Sequence, residues 1–123
     1  VAYCFAEIEG YSKIGSYTGN GNADGAFVYT GFRPSWLMIK NADATGLWMM
    51  YDSVRSTFNT IDKEIYANTS DVEATVDRGD LLSNGFKIRA TSTSLNTSGQ
   101  KYIFISFAEN PFVDSNGVPV TAR

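Results

Sequence analysis

Apolar and polar positions alternate with a period of two along most of the chain, the signature of strands that bury one face. Residues 1–7 (Val-Ala-Tyr-Cys-Phe-Ala-Glu) read as a buried strand, and 11–17 and 26–32 as two more β-rich runs. Residues 36–40 are apolar at nearly every position, the pattern of a strand covered on both faces. Asn41-Ala-Asp-Ala-Thr-Gly46 is rich in turn formers, and 47–52 runs back from it, which predicts a hairpin. Residues 53–59 have weak periodicity and room for one short helical turn, and 64–68 suggests a short strand. In 85–89, Phe86 and Ile88 face inward while Lys87 and Arg89 face out; 102–108 is the last strong strand. Pro34, Pro111 and Pro119 fall at strand edges or in loops, where a missing donor costs little. About eight short strands at such spacing predict an all-β fold, an antiparallel β-sandwich of jelly-roll type, with under about a tenth of residues helical.

Composition agrees. Ser, Thr, Asn and Gly supply 43 of the 123 residues, which favours short strands joined by polar turns, and aromatics at 14% are enough for a core. The net charge is −3 with scattered cations, so no basic stripe for nucleic acid exists, and no apolar run is long enough for membrane insertion. Histidine is absent, which removes Ser-His-Asp and Cys-His nucleophile pairs and imidazole metal sites. The single cysteine, Cys4, lies between Tyr3 and Phe5 and reads as a buried, inert thiol.

Tyr3-Cys-Phe-Ala-Glu7 echoes Ile105-Ser-Phe-Ala-Glu109, and aromatics follow at Tyr11 and Phe112. The echo divides the chain into residues 1–9, a closing strand shared with a preceding tandem unit, and 10–123, one β-sandwich domain. Four stretches carry a family likeness: Gly10-Tyr-Ser-Lys-Ile-Gly-Ser-Tyr-Thr-Gly-Asn-Gly21, Tyr29-Thr-Gly-Phe-Arg-Pro-Ser-Trp-Leu-Met-Ile-Lys40, Asp80-Leu-Leu-Ser-Asn-Gly-Phe-Lys-Ile-Arg89 and Tyr102-Ile-Phe-Ile-Ser-Phe-Ala-Glu-Asn-Pro-Phe112. They resemble a C-terminal domain of fibre and surface proteins in bacteriophages of marine bacteria (cyanophages and pelagiphages), often found beside concanavalin-A-like laminin-G domains. The closing residues 117–123 resemble that family's C-terminus. The resemblance implies a jelly-roll or concanavalin-A-like sandwich on the virion surface, without catalysis. Its expected partners are copies of itself, a trimer in the first instance, and other virion proteins, with a host-surface glycan as the ligand. A capsid decoration protein and a free carbohydrate-binding module are the alternatives.

Candidate chemistry is sparse. Asn20-Gly-Asn22-Ala-Asp24-Gly25 matches the front of a calcium loop, but Asp24 is its one carboxylate and Gly31 stands where an EF-hand places a bidentate Glu. At most a weak calcium site of Asn20, Asn22 and Asp24 is expected, and no other cofactor. Glu7, Glu9, Asp52, Glu64 and Glu109 are the carboxylates that glycoside hydrolysis could use, with no spacing that singles out a pair. Trp36, Trp48, Tyr51 and Tyr29 are the aromatics a sugar platform could use; Trp48 and Tyr51, with Asp52 and Arg55 beside them, are its candidate site, aromatic faces for stacking and polar groups for hydroxyls. Asp52 and Arg55 are also placed to pair with each other, while Trp36 reads as core. The long polar connections 18–25, 60–78 and 91–101 are where specific contacts are expected.

Overall fold

A computed structural model describes residues 1–110 and Asn116. The expectations for Pro111, Phe112, Pro119 and the closing residues 117–123 lie outside the described residues. Eight strands follow in chain order: β1 (Ser12–Thr18), β2 (Phe27–Tyr29), β3 (Trp36–Asn41), β4 (Trp48–Asp52), β5 (Ile61–Tyr66), β6 (Ala74–Leu82), β7 (Gly85–Ile88) and β8 (Lys101–Phe107). They form one antiparallel sheet in the order β1-β8-β3-β4-β5-β6-β7-β2, which curls into a nearly closed barrel. No described residue is helical.

The predicted hairpin is β3–β4, with Trp36 opposite Asp52 and Lys40 opposite Trp48. β5 makes the corner. Its last residues pair with β4 through Met49–Tyr66 and Met50–Ile65, whereas Ile61, Lys63 and Glu64 pair with β6 across a register shift. Such an irregularity bends a strand and lets one sheet fold over its own core. That core draws on every strand: Tyr17, Val28, Leu37, Ile39, Met49, Tyr51, Ile61, Leu81, Phe86, Ile88, Tyr102 and Phe104, with Leu95 closing one end from a loop. Ring contacts tie the two halves together, Tyr17 to Phe86 and Phe86 to Phe104, both edge-on.

The structure corrects several expectations. Residues 1–7 form no strand and are exposed, and Cys4 with them. The cause lies in the tight turn from Ile8 to Ser12, where Gly10 takes a positive φ. Past that turn the Glu7 carboxylate, not a backbone carbonyl, accepts the Ile14 N–H at 3.1 Å, so no ladder propagates along β1. The connection expected over 60–78 contains β5 and the start of β6. Residues 26–32 supply only the three-residue β2, although Phe32 is buried. Trp36 is half-buried on the barrel's outside and is not core. Residues 53–56 do make a single turn, with Ser56 N–H on the Asp52 carbonyl at 3.2 Å.

Candidate functional site

Because Leu37, Ile39, Met49, Tyr51, Tyr102 and Phe104 point inward, their neighbours on the same strands must point out. Cross-strand register sorts those outward side chains into rows. One row runs Ser12, Phe107, Trp36, Asp52; the middle row runs Ile14, Ile105, Met38, Met50, Ile65; the next runs Ser16, Ile103, Lys40, Trp48; and a short last row pairs Thr18 with the exposed Lys101. The middle row is apolar from end to end. At one end of this outer face Phe5, Tyr11 and Trp36 surround Phe107, at ring separations of 5.7, 5.9 and 5.7 Å. Toward the other end lies a shallow, almost wholly apolar groove of about 40 Å³, lined by Met38, Lys40, Trp48, Ile103, Phe104 and Ile105.

Of the predicted platform only Trp48 is available, 39% exposed beside that groove. Its backbone N–H is fixed by the Asn68 side chain at 2.9 Å. Tyr51 is the next residue but one from Met49 on the inward face and is 1% exposed, so it is not a platform residue. Alternation along a strand separates it from Trp48 by the thickness of the sheet. Asp52 lies on the outer face at the far end of β4 and is ion-paired with Arg55, which also reaches Glu73 at 3.0 Å. Partial burial pushes the Asp52 carboxyl up, but N–H donors from Arg55 and Val54 and the Arg55 guanidinium bring it below its ordinary value.

The loop over 18–25 is knitted to itself. Asn20 Oδ1 accepts the Asn22 N–H, Asn22 Oδ1 accepts the Asp24 N–H, both at 2.9 Å, and Asp24 pairs with Lys87 at 2.6 Å. The side-chain oxygens of a calcium loop must converge on one point; here Asn20 and Asn22 spend theirs on the loop's own backbone. Among the described residues no three His, Cys, Asp or Glu side chains gather as a metal site.

Sequence reasoning missed two buried polar centres. Asn96, fully buried, holds the loop from below: its amide nitrogen reaches Asn20 Oδ1, the Asn22 carbonyl and the Ala90 carbonyl, and its Oδ1 accepts the Asn20 N–H. The second centre is Glu64, 1% exposed, gripped by Arg78 through two bonds of 2.8 and 2.9 Å and by the hydroxyls of Tyr51 and Tyr66. Burial pushes the Glu64 carboxyl up, and these donors together pull it below its ordinary value; the Tyr51 hydroxyl is pushed well up by its own burial. Every acceptor site of this carboxylate is engaged, which suits a fixed charge and not a proton carrier.

A family model described as a domain of unknown function, DUF7483, matches residues 1–111. The chain belongs to the DUF7483 family. Neither a curated protein nor a solved structure matches it. The match takes in residues 1–7, so the exposed arm is part of the DUF7483 unit together with all eight strands. In this DUF7483 domain the outer face carries Trp48 at one end and the arm at the other. Stacking on an indole and contact with an apolar row are the chemistry available there.

Proposed function

We propose that the domain is a non-enzymatic module of a phage virion surface, a jelly-roll, concanavalin-A-like unit at the end of a fibre or appendage that holds copies together and touches the host. The observation that carries this reading is the outer face, whose apolar middle row and open Trp48 stand on a barrel in which every buried side-chain polar atom of the described residues has a partner. Support for contact over turnover comes from the carboxylates: Glu7, Asp24, Asp52, Glu64 and Asp80 each hold a cationic side chain. A carboxylate so neutralised is a poor general base or nucleophile at neutral pH.

Host contact belongs at the Trp48 end, where the β3–β4 turn and the loop over 91–101 come together through Asn41 and Gln100 at 2.7 Å and Asp43 and Lys101 at 2.6 Å. The apolar face of a sugar ring stacks on the indole, and the Lys40 ammonium, which gives two of its hydrogens to the Asn41 and Ala44 carbonyls, keeps a third for a hydroxyl. Weak single sites suffice where many copies act together. A glycan array probed with the domain and with Trp48→Ala tests this. Binding that the substitution abolishes is expected; an array bare for both proteins, with host adsorption of particles unaffected by Trp48→Ala, overturns the glycan reading.

A further inference from the structure

β3, β4 and β8 are largely apolar on both faces, yet the described residues cover only the inner one. Strands of that pattern are found where both faces are buried. We propose that the middle row of the outer face is an interface between two copies of this chain, clasped by residues 1–7 of each.

Three observations name a second copy as the occupant. First, the middle row itself carries no charge. Asp52 and its partner Arg55 lie at one margin of the face, and the cations Lys40 and Lys101 lie at the Trp48 margin. A row without charge can meet itself without like-charge repulsion, as a two-fold contact requires.

Second, the arm is already seated at the margin of that face and is unfinished. Phe5 rests on Phe107 and the Ser12 hydroxyl ties down the Ala6 carbonyl at 2.7 Å, while among the described residues Val1 to Cys4 stay exposed. Tyr3, 83% exposed, and Val1 project beyond Phe5 with the same alternation. Third, the areas agree. Four strands ~4.8 Å apart and about five residues tall give a footprint of roughly 330 Å², short of the ~800 Å² per partner of a stable interface. An arm that adds Val1, Tyr3 at ~150 Å² and the open half of Phe5 closes much of the gap. The face without the arm is too small, and the arm without the face has nothing to grip. The pairing is two-fold, in place of the trimer expected from sequence, because the same row lies on both sides of the contact. Trp48 lies at the other end of the face, but Met38 and Ile105 belong both to its groove and to the row, so removal of residues 1–4, which touches neither, is what separates the contact from indole binding.

Sedimentation velocity across a concentration series tests this on the intact chain, on Met38→Asp and on a chain lacking residues 1–4, with circular dichroism confirming the fold of each. The intact chain is expected to self-associate, and each change to weaken association at least ~tenfold. Met38→Asp places a charge in the centre of the row, while the truncation leaves every strand intact, so a folding failure of the first leaves the second to decide. Cys4, the one thiol, gives an independent reading: a maleimide should label it several-fold more slowly in the assembled state. A chain that stays monomeric at high concentration, association that survives both changes, or labelling unaffected by assembly overturns the proposal. Glycan binding at Trp48 by a persistent monomer would overturn it and leave the attachment reading intact.

Discussion

Asn96 and Glu64 are the two side chains on which the polar interior depends. Replacing Asn96 by Ala strips partners from the Asn20 N–H and from the Asn22 and Ala90 carbonyls. Each group that stays dry costs about 1–3 kcal/mol. The expected result is a lower urea midpoint with an unchanged slope, since the core is untouched. Glu64→Gln keeps the shape and loses the charge that Arg78 holds, and breaking a buried pair costs about 3–5 kcal/mol. The same carboxylate sets an acid limit. Its folded pKa lies below the ordinary 4.5, so the unfolded chain takes up the proton first. Its contribution is complete above about pH 4.5 and is lost as the pH falls through the lowered folded value. A thermal-melt series from neutral pH downward should show stability falling below about pH 5, with a flatter acid limb in Glu64→Gln. Little of this was legible in the chain. Asn96-Thr-Ser98 has the composition of an exposed turn, and burial depends on Asn20, 76 residues away. Trp48 and the Asp52–Arg55 pair were legible because period-two alternation and a three-residue spacing are local properties.

At the scale of elements, the short strand β2 depends on close approach. A Cβ at Gly85 would lie 2.1 Å from the Val28 carbonyl oxygen, a backbone atom that cannot move aside alone. Gly85→Ala should therefore push β2 away from β7 at a cost of about 2 kcal/mol or more. Hydrogen exchange checks this: the amides of Thr30 and Ile88, bonded to the Asn84 and Ala26 carbonyls, should lose protection before those of β3 and β8. The hairpins β3–β4 and β6–β7 depend on alternation and on adjacent turn residues, which is why their later strands were readable. β6 was hidden because Ala74-Thr-Val-Asp-Arg-Gly-Asp places charge on both parities, and Arg78 and Asp80 are tolerated there only through partners on β5 and after β7. Residues 1–7 misled in the opposite sense. Their alternation is that of a strand, but pairing is a property of the neighbour, and the Glu7 side chain occupies the first donor past the turn on the β1 edge, the Ile14 N–H.

For the molecule as a whole, the curled sheet makes two half-sheets share one interior, an arrangement that no local pattern encodes because it rests on pairings such as β1 with β8. Both tryptophans lie on one half, Trp36 on β3 and Trp48 on β4, so fluorescence reports that half alone, whereas far-UV circular dichroism reports all eight strands. Were the halves independent, the two signals would separate during unfolding. They are not independent in packing: Phe86 of β7 lies against both Tyr17 of β1 and Phe104 of β8, with ring centroids 6.0 and 5.2 Å apart. Opening either half exposes that cluster and removes the other half's cover. Denaturant curves from the two probes, measured on dilute protein, should therefore coincide within error, and calorimetry should give a heat-capacity change of roughly 1.5–1.8 kcal/mol/K for a chain of this size. Phe86→Ala tests the coupling directly. It should cost about 3–5 kcal/mol and shift both curves together; a fluorescence midpoint left in place while the dichroism midpoint falls would show that the halves unfold separately.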